Sequence, residues 1–243
     1  MTRLLLILAA IGLVGYGIFF ALFGSTSYTW HQRLTVIVDT PAGQVQGAAV
    51  TEVRVVQIVG VLTLAQGLHT YVSGEATVVE VLPGRFLFAL LTSEDTRPMG
   101  DAGAWAYTAF DLTNRIAQGS MSSFQVTKTL SDEPRDTPIP LPPKAMPLLV
   151  TFDDITDPTT VHLVDPTNLS ASFGPGVSLA GVTLEITGAD VTEGRVEAVL
   201  GLDFFRSWGR VHAEALARGL NDSYFQSLMS DLARNDFIQE MNR

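Results

Sequence analysis

An uncharged apolar run near the N-terminus is the feature that most constrains this chain. Residues 4–24 read LLLILAAIGLVGYGIFFALFG, without one charged side chain. As a helix rising about 1.5 Å per residue, the run would be about 30 Å long, which matches the hydrocarbon thickness of a bilayer. We therefore predict one transmembrane helix within residues 1–27, in contact with the lipid bilayer through residues 4–24.

The charges on either side of this run predict its orientation. Arg3 precedes it and the next basic side chain is Arg33, so the positive-inside bias places the N-terminus in the cytoplasm and the body outside. Tyr28 and Trp30 then fall where an interfacial aromatic belt would lie. The alternative is a secretory signal cleaved near Ser27, although the apolar region of a signal is usually only ~7–15 residues long.

The composition of the remaining chain is that of a folded, acidic protein. The 243 residues are 47% hydrophobic, with a formal net charge of −10. This is enough apolar material for a core, and we predict one extracytoplasmic α+β domain over residues 34–243. The basic residues are scattered, which argues against nucleic-acid binding. The absence of cysteine excludes disulfides, thiolate metal sites and cysteine nucleophiles.

Alternating and apolar runs predict an antiparallel, β-rich body. Residues 34–40 and 45–56 flank a proline–glycine turn and predict a hairpin. Residues 71–82 form a further β-rich run, and a second proline–glycine turn leads to residues 86–91. The last run, FLFALL, is apolar on both faces, as expected for a strand that is covered on both sides. Together these runs predict four strands in a meander.

The second half of the chain predicts a connector, two strands and C-terminal helices. Six prolines within residues 132–147 indicate an extended connector that cannot enter the interior of a sheet, and a proline-recognition ligand is the alternative. We expect a short helix over residues 104–118 and strands over 148–152 and 177–187. Further helices are predicted over three segments, of which the first has Thr192 as a possible N-cap: residues 193–200, 210–217 and 223–241.

The chain carries few signatures of chemistry. It has no phosphate-binding loop, no dinucleotide fingerprint, no HExxH and no GxSxG, and its four histidines are far apart. The unusual feature is an acidic stretch without lysine or arginine between residues 144 and 195. Within it Asp153, Asp154 and Asp157 lie close together, and such hard oxygen ligands favour calcium. The alternative is that these aspartates form turns and helix caps.

Two segments resemble a known group of proteins. The strings PLLVTFDDITDPTTVHLVDPTNLSASFGPGV, residues 147–177, and LEITGADVTEGRVEAVL, residues 184–200, resemble uncharacterised single-pass membrane-anchored proteins of alphaproteobacteria. The resemblance implies a protein of the bacterial inner membrane whose body faces the periplasm. It implies no activity, ligand or catalytic residue.

These observations favour a noncatalytic envelope protein, tethered to the membrane, that binds or assembles with another envelope component. No catalytic residue and no cofactor are predicted. The alternatives are a periplasmic hydrolase, with Asp153 and Asp154 acting together with a water or a metal, and a cation-binding module that uses the same loop. A deep cleft that gathers these carboxylates with His162 would favour the hydrolase.

Overall fold

Two antiparallel sheets and several helices form an α+β fold, which confirms the predicted class. The structure is a computed structural model, and the residues that it describes are 2–23, 25–58, 67–93, 101–132, 136–201, 203–217 and 232–240. Within these ranges, no helix is both long and apolar enough to cross a membrane.

The chain begins with helix α1, Thr2–Phe23. Large apolar side chains in its middle, such as Ile11, Leu13 and Phe19, are exposed. One residue, Gly24, separates α1 from the first strand. The anchor or signal segment over residues 1–27 stays a prediction.

A long hairpin organises the larger sheet. Strand β1, Ser25–Thr40, pairs with β2, Gly43–Ile58, from the Thr40–Gly43 pair at the turn to the opposite end of both strands. The predicted hairpin is confirmed, but β1 begins at Ser25 rather than at residue 34. Trp30 is therefore a core residue, 3% exposed, with its ring 5.9 Å from that of Tyr107. Its assignment to an interfacial belt was wrong.

The six-stranded sheet is completed by strands from distant parts of the sequence. Its order is β10-β3-β2-β1-β9-β6, and only β1, β2 and β3 form a meander. The added strands are β3 (Gly67–Glu75), β6 (Ile139–Pro140), β9 (Ser178–Thr187) and β10 (Ile238–Gln239). The strand predicted over 177–187 is confirmed. The proline-rich connector is ordered over residues 136–147, and Pro140 lies on the edge strand, where a missing N–H is tolerated.

A second, four-stranded sheet has the order β4-β5-β7-β8. Its strands are β4 (Thr77–Leu82), β5 (Arg85–Ser93), β7 (Pro147–Phe152) and β8 (Val161–Leu163). The predicted run over residues 71–82 is thus two strands in two sheets, because the chain leaves the first sheet at Ala76. The single four-stranded meander was wrong, whereas the strands over 86–91 and 148–152 are confirmed.

The second sheet lies between two hydrophobic clusters. Leu87, Ala89 and Leu91 of β5 join the cluster that fills the space under the larger sheet. Phe88 and Leu90 point the other way, into a cluster that includes Trp208. This two-sided burial explains why β5 is apolar at every position from residue 86 to residue 91.

The helices differ in bounds and in number from those that the sequence predicts. Helices α2 (Trp105–Ala109) and α3 (Leu112–Ala117) replace one helix over 104–118, because Asp111 between them is left-handed, with φ of 56°. Within the described residues five more follow: α4 (Ser123–Asp132), α5 (Leu169–Phe173), α6 (Arg195–Leu200), α7 (Phe204–Ala217) and α8 (Arg234–Phe237). Helix α7 begins before the predicted residue 210.

The helix predicted over residues 223–241 is wrong in its described part. Residues 218–231 lie outside the described residues, but α8 is a single turn and Ile238–Gln239 is the edge strand β10. Two apolar residues of this segment, Leu232 and Phe237, are nevertheless buried in the core.

The two sheets approach each other closely at Gly47. A Cβ atom added there would lie 2.1 Å from the carbonyl oxygen of Val78 in β4. Such a contact cannot be relieved by a side-chain rotation, because backbone meets backbone.

We expect Gly47→Ala to lower the free energy of unfolding by about 3 kcal/mol or to prevent folding, since the sheets must separate. Urea unfolding of the full chain in detergent measures the effect. Gly181→Ala in β9 is the control: no described atom lies within 4 Å of its added Cβ, so its change should stay within about 0.5 kcal/mol. Equal effects of the two substitutions would contradict the close approach.

Candidate functional site

The side chain of Glu75 joins two parts of the chain at the end of β3. Glu75 is 2% exposed, and the backbone N–H groups of Arg195 and Val196 donate to its two carboxylate oxygens at 2.7 and 3.1 Å. Those N–H groups begin helix α6 and have no partner within the helix. Glu75 is therefore the cap of α6, contributed from a residue 120 positions away.

The C-terminal segment is attached at the same point. Glu75 pairs with Ile238 of β10, and the N–H of Ala76 donates to the carbonyl of Phe237 at 2.7 Å. Phe237 is fully buried among the aromatic rings of the second cluster, 6.0 Å from Phe88. Strand β3, helix α6 and the C-terminal segment therefore meet at Glu75 and its neighbour.

Thr192 has a different role from the predicted one. Its Oγ1 accepts the N–H of Val50 at 2.9 Å, and its own N–H donates to the Val50 carbonyl at 3.0 Å. Thr192 thus fixes the segment before α6 to strand β2. Helix α6 begins at Arg195, with Gly194 in a left-handed conformation at the N-cap, so the Thr192 cap was wrong.

A cleft of about 660 Å³ opens on the outer face of the six-stranded sheet around this junction. Its floor consists of outward-facing residues of β2 and β3, including Glu52, Arg54 and Ser73, with Glu75 at the bottom. One wall is the segment from Val191 to Glu197, and the other is the C-terminal segment from Arg234 to Glu240. The sequence did not predict this site, because its three parts are distant along the chain.

The cleft is strongly acidic. Five glutamates and two arginines line it: Glu52, Glu75, Glu193, Glu197, Glu240, Arg54 and Arg234. Arg234 Nη2 lies 2.8 Å from Glu240 and 3.8 Å from Glu197, and so links the two walls. Arg54 lies over the ring of Tyr71 at 5.3 Å, and its buried Nε has no hydrogen-bond partner among the described residues. The arginines leave the carboxylates in excess.

His31 connects the floor of the cleft to the loop after β9. Its Nδ1 lies 2.6 Å from the carbonyl oxygen of Ala189, and its Nε2 lies 3.3 Å from Glu52. A carbonyl oxygen only accepts, so Nδ1 must carry a proton. A doubly protonated ring would donate to both partners and add one positive charge beside Glu52.

The predicted acidic loop has a repeated local geometry. In the sequences Asp154–Thr156, Asp157–Thr159 and Asp165–Thr167, the aspartate Oδ1 accepts from both the N–H and the hydroxyl of the threonine two residues later. The six distances lie between 2.7 and 2.9 Å. The turn interpretation is confirmed for Asp154 and Asp157.

These hydrogen bonds also favour the ionised form of two aspartates in this part of the chain. The backbone N–H of Thr156, followed by its hydroxyl, lowers the pKa of Asp154. The hydroxyl of Thr167, followed by its backbone N–H, lowers the pKa of Asp165. The charged carboxylate is the form that accepts these bonds, so each turn favours an ionised aspartate.

The structure does not gather the predicted hydrolase residues in the cleft. Asp153 is highly exposed and lies 3.8 Å from His162 Nδ1, and neither residue lines the cleft. Across the described residues, no group of three histidine, aspartate or glutamate side chains is placed to hold a metal ion. Calcium binding by Asp153, Asp154 and Asp157 stays a prediction.

The Glu75 cap predicts a large cost of truncation. We expect Glu75→Ala to lower the free energy of unfolding by about 2–4 kcal/mol, since it leaves two buried N–H groups without a charged acceptor. Glu75→Gln keeps one acceptor and should cost less. The control is Glu193→Ala, at an exposed residue of the same cleft. It should change the free energy of unfolding, measured with denaturant, by less than about 0.5 kcal/mol. A Glu75→Ala variant as stable as that control would contradict the cap.

The turn geometry predicts how substitutions in the acidic loop differ. Asp157 is the N-cap of a short helical turn, so Asp157→Ala should cost about 1 kcal/mol, whereas Asp157→Asn keeps an acceptor and should cost little. Thermal unfolding with and without calcium tests the other interpretation. A calcium-dependent rise of several degrees that is lost in Asp154→Asn would favour a cation site over simple turns.

Comparison with known proteins identifies no relative: no protein family, curated protein or solved structure matches this chain. The resemblance to membrane-anchored proteins of alphaproteobacteria therefore stays a prediction. Any function must be argued from the residues of the chain itself.

Proposed function

We propose that this chain is a noncatalytic, membrane-attached envelope protein that binds a positively charged segment of another envelope protein in its acidic cleft. The observation that carries the proposal is the charge of the cleft, where five glutamates face two arginines. Complementary charge gives such a surface both specificity and a faster encounter with a basic partner.

The N-terminal sequence supports the membrane attachment. The run over residues 4–24 is uncharged, and the described apolar side chains of α1, such as Leu13 and Ile18, are exposed rather than packed on the body. A continuous exposed apolar surface of this kind marks contact with a membrane or another protein.

The position of Arg3 supports the orientation. With Arg3 as the basic residue before the run, we place the N-terminus in the cytoplasm and the body in the periplasm of a bacterial inner membrane. This localisation also follows from the resemblance to alphaproteobacterial proteins. Cleavage near Ser27 would instead release the body, and mass spectrometry of the mature chain separates the two cases.

The built walls of the cleft support binding rather than catalysis. Glu75, the deepest carboxylate, is committed to capping α6, and Arg234 is committed to Glu197 and Glu240. Groups held in this way form a preorganised surface, which lowers the cost of binding a partner. Glu193 is exposed on one wall and is available to a partner. The carboxylates on which the hydrolase and the cation module depend, Asp153, Asp154 and Asp157, do not line this cleft.

An oligolysine peptide provides a defined test of the cleft. We expect it to bind the full chain in detergent, with an affinity that falls when salt is added. The double variant Glu193→Gln and Glu240→Gln should weaken binding about three- to tenfold, since each exposed charge contributes up to about 1 kcal/mol. Fluorescence anisotropy of a labelled peptide measures the dissociation constant.

The matched control removes two negative charges elsewhere. Asp132→Asn with Asp136→Asn changes the net charge equally, on exposed residues near β6 at the opposite edge of the sheet. This control should bind oligolysine like the unchanged chain. If both double variants weaken binding to the same degree, the peptide responds to net charge and the cleft is not its site.

A further inference from the structure

The opposite face of the same strands carries a second cavity. Its volume is about 310 Å³, and it lies between β2–β3 and helices α2 and α3. Successive strand residues point to opposite faces of a sheet, so Arg54 faces the acidic cleft while Val55 faces this cavity. The two sites therefore share strands but no lining residue.

The lining of this cavity is apolar with a few hydrogen-bonding groups. Its apolar lining residues include Val55, Leu68 and Ile116. Its hydroxyl-bearing residues are Thr70, Tyr107, Thr108, Thr113 and Ser123. This is the usual composition of a pocket for an apolar ligand. A volume of 310 Å³ is at the lower end of the range for ligand pockets, about 300–1,000 Å³.

One carboxyl group restricts the charge of the ligand. Asp101 lines the cavity, and the N–H groups of Gly103 and Ala104 donate to its carboxylate, so these bonds favour the charged form. A ligand with an anionic end inside the cavity, such as a free fatty acid, would be repelled by this carboxylate. A neutral hydrocarbon chain would not be repelled.

The cavity lies near the end of the sheet at which α1 joins the body. Ser25, the first residue of β1, is paired with Ile58, which in turn is paired with Gly67 at the start of β3. Val55 lies opposite Tyr28, only three residues along β1 from Ser25, or about 10 Å at 3.3 Å per residue. Leu68, on the cavity lining, is 46% exposed beside this end.

Two parts of the chain that meet at this end of the sheet are uncharged. Residues 4–30 contain no charged side chain, and neither do the described residues 55–58 and 67–68. Charged groups resist transfer into a bilayer, so these strand ends can approach lipid without that cost. No such stretch surrounds the acidic cleft, whose floor contains Glu52 and Arg54.

We infer that this cavity accepts one acyl chain of a phospholipid from the leaflet that adjoins α1. The inference rests on the membrane attachment proposed above and adds a lipid as a second ligand. The headgroup stays outside, and the chain enters past Leu68 between strands β2–β3 and helices α2–α3. An acyl chain bound in the cavity holds the body on the bilayer surface at a second point beside α1.

Photocrosslinking in vesicles tests this inference. The full chain is reconstituted in phosphatidylcholine vesicles that contain a lipid with a diazirine at the end of one acyl chain. We expect crosslinks in α1 and also in the cavity peptides that contain Leu68, Tyr107 or Ile116. A diazirine on the headgroup should not label the cavity peptides, because the headgroup remains outside.

A filling variant provides specificity. Thr113→Phe places a ring in the cavity. It should lower crosslinking of the cavity peptides about fivefold or more, because the ring takes the space that the acyl chain would fill. Asn114→Phe, on the exposed side of the same helix, adds the same ring outside the cavity and should leave the crosslinks unchanged. Unchanged oligolysine binding by both variants shows that they are folded.

The outcomes separate the two proposals. Crosslinks in α1 with none in the cavity peptides, or cavity crosslinks that Thr113→Phe leaves unchanged, overturn the acyl-chain inference while the membrane attachment stands. If the chain does not float with the vesicles and α1 is not labelled, the membrane attachment fails and the inference fails with it.

Discussion

The carboxylate of Glu75 joins three parts of the chain that are distant in sequence. Glu75 ends β3, caps α6 through two backbone N–H groups and pairs with Ile238 of β10. A buried carboxylate is costly unless donors satisfy it, and the unpaired N–H groups at the start of a helix are suitable donors. The burial of Glu75 and the position of α6 therefore depend on each other. The next residue, Ala76, connects β3 of the first sheet to β4 of the second. The position of Glu75 therefore also sets where the chain enters the second sheet.

The acidic cleft is a consequence of the same junction. Thr192 is hydrogen-bonded to β2 and β10 pairs with β3, so each wall is held on the sheet by hydrogen bonds, and Arg234 links the two walls through Glu197 and Glu240. In our proposals both faces of strands β2 and β3 bind a ligand. Charged residues on one face bind a basic partner, and apolar residues on the other face surround the smaller cavity. Alternation along β2 produces both faces, because Arg54 and Val55 must point in opposite directions.

Several elements could be predicted because their signals are local. The β1–β2 hairpin follows from alternation around a proline–glycine turn, and the apolar sequence of β5 reflects burial between two clusters. The turns at Asp154 and Asp157 also depend on threonines two residues away. The helix over 104–118 was predicted as one because its periodicity continues through Asp111, whose left-handed backbone has no comparable signal in the sequence. The edge strand β10 was missed because its pairing partner is more than a hundred residues away.

The sequence by itself determined the uncharged N-terminal run, the α+β class and the local turns, since each depends on neighbouring residues. Only the tertiary structure decided which strands share a sheet, that Trp30 belongs to the core and that Glu75 caps α6. It also decided the candidate site: Glu52, Glu193 and Glu240 come from three distant segments, and none has a motif around it. The physical reason is that long-range pairing and burial are set by the free energy of the whole packed chain, which short-range patterns do not contain.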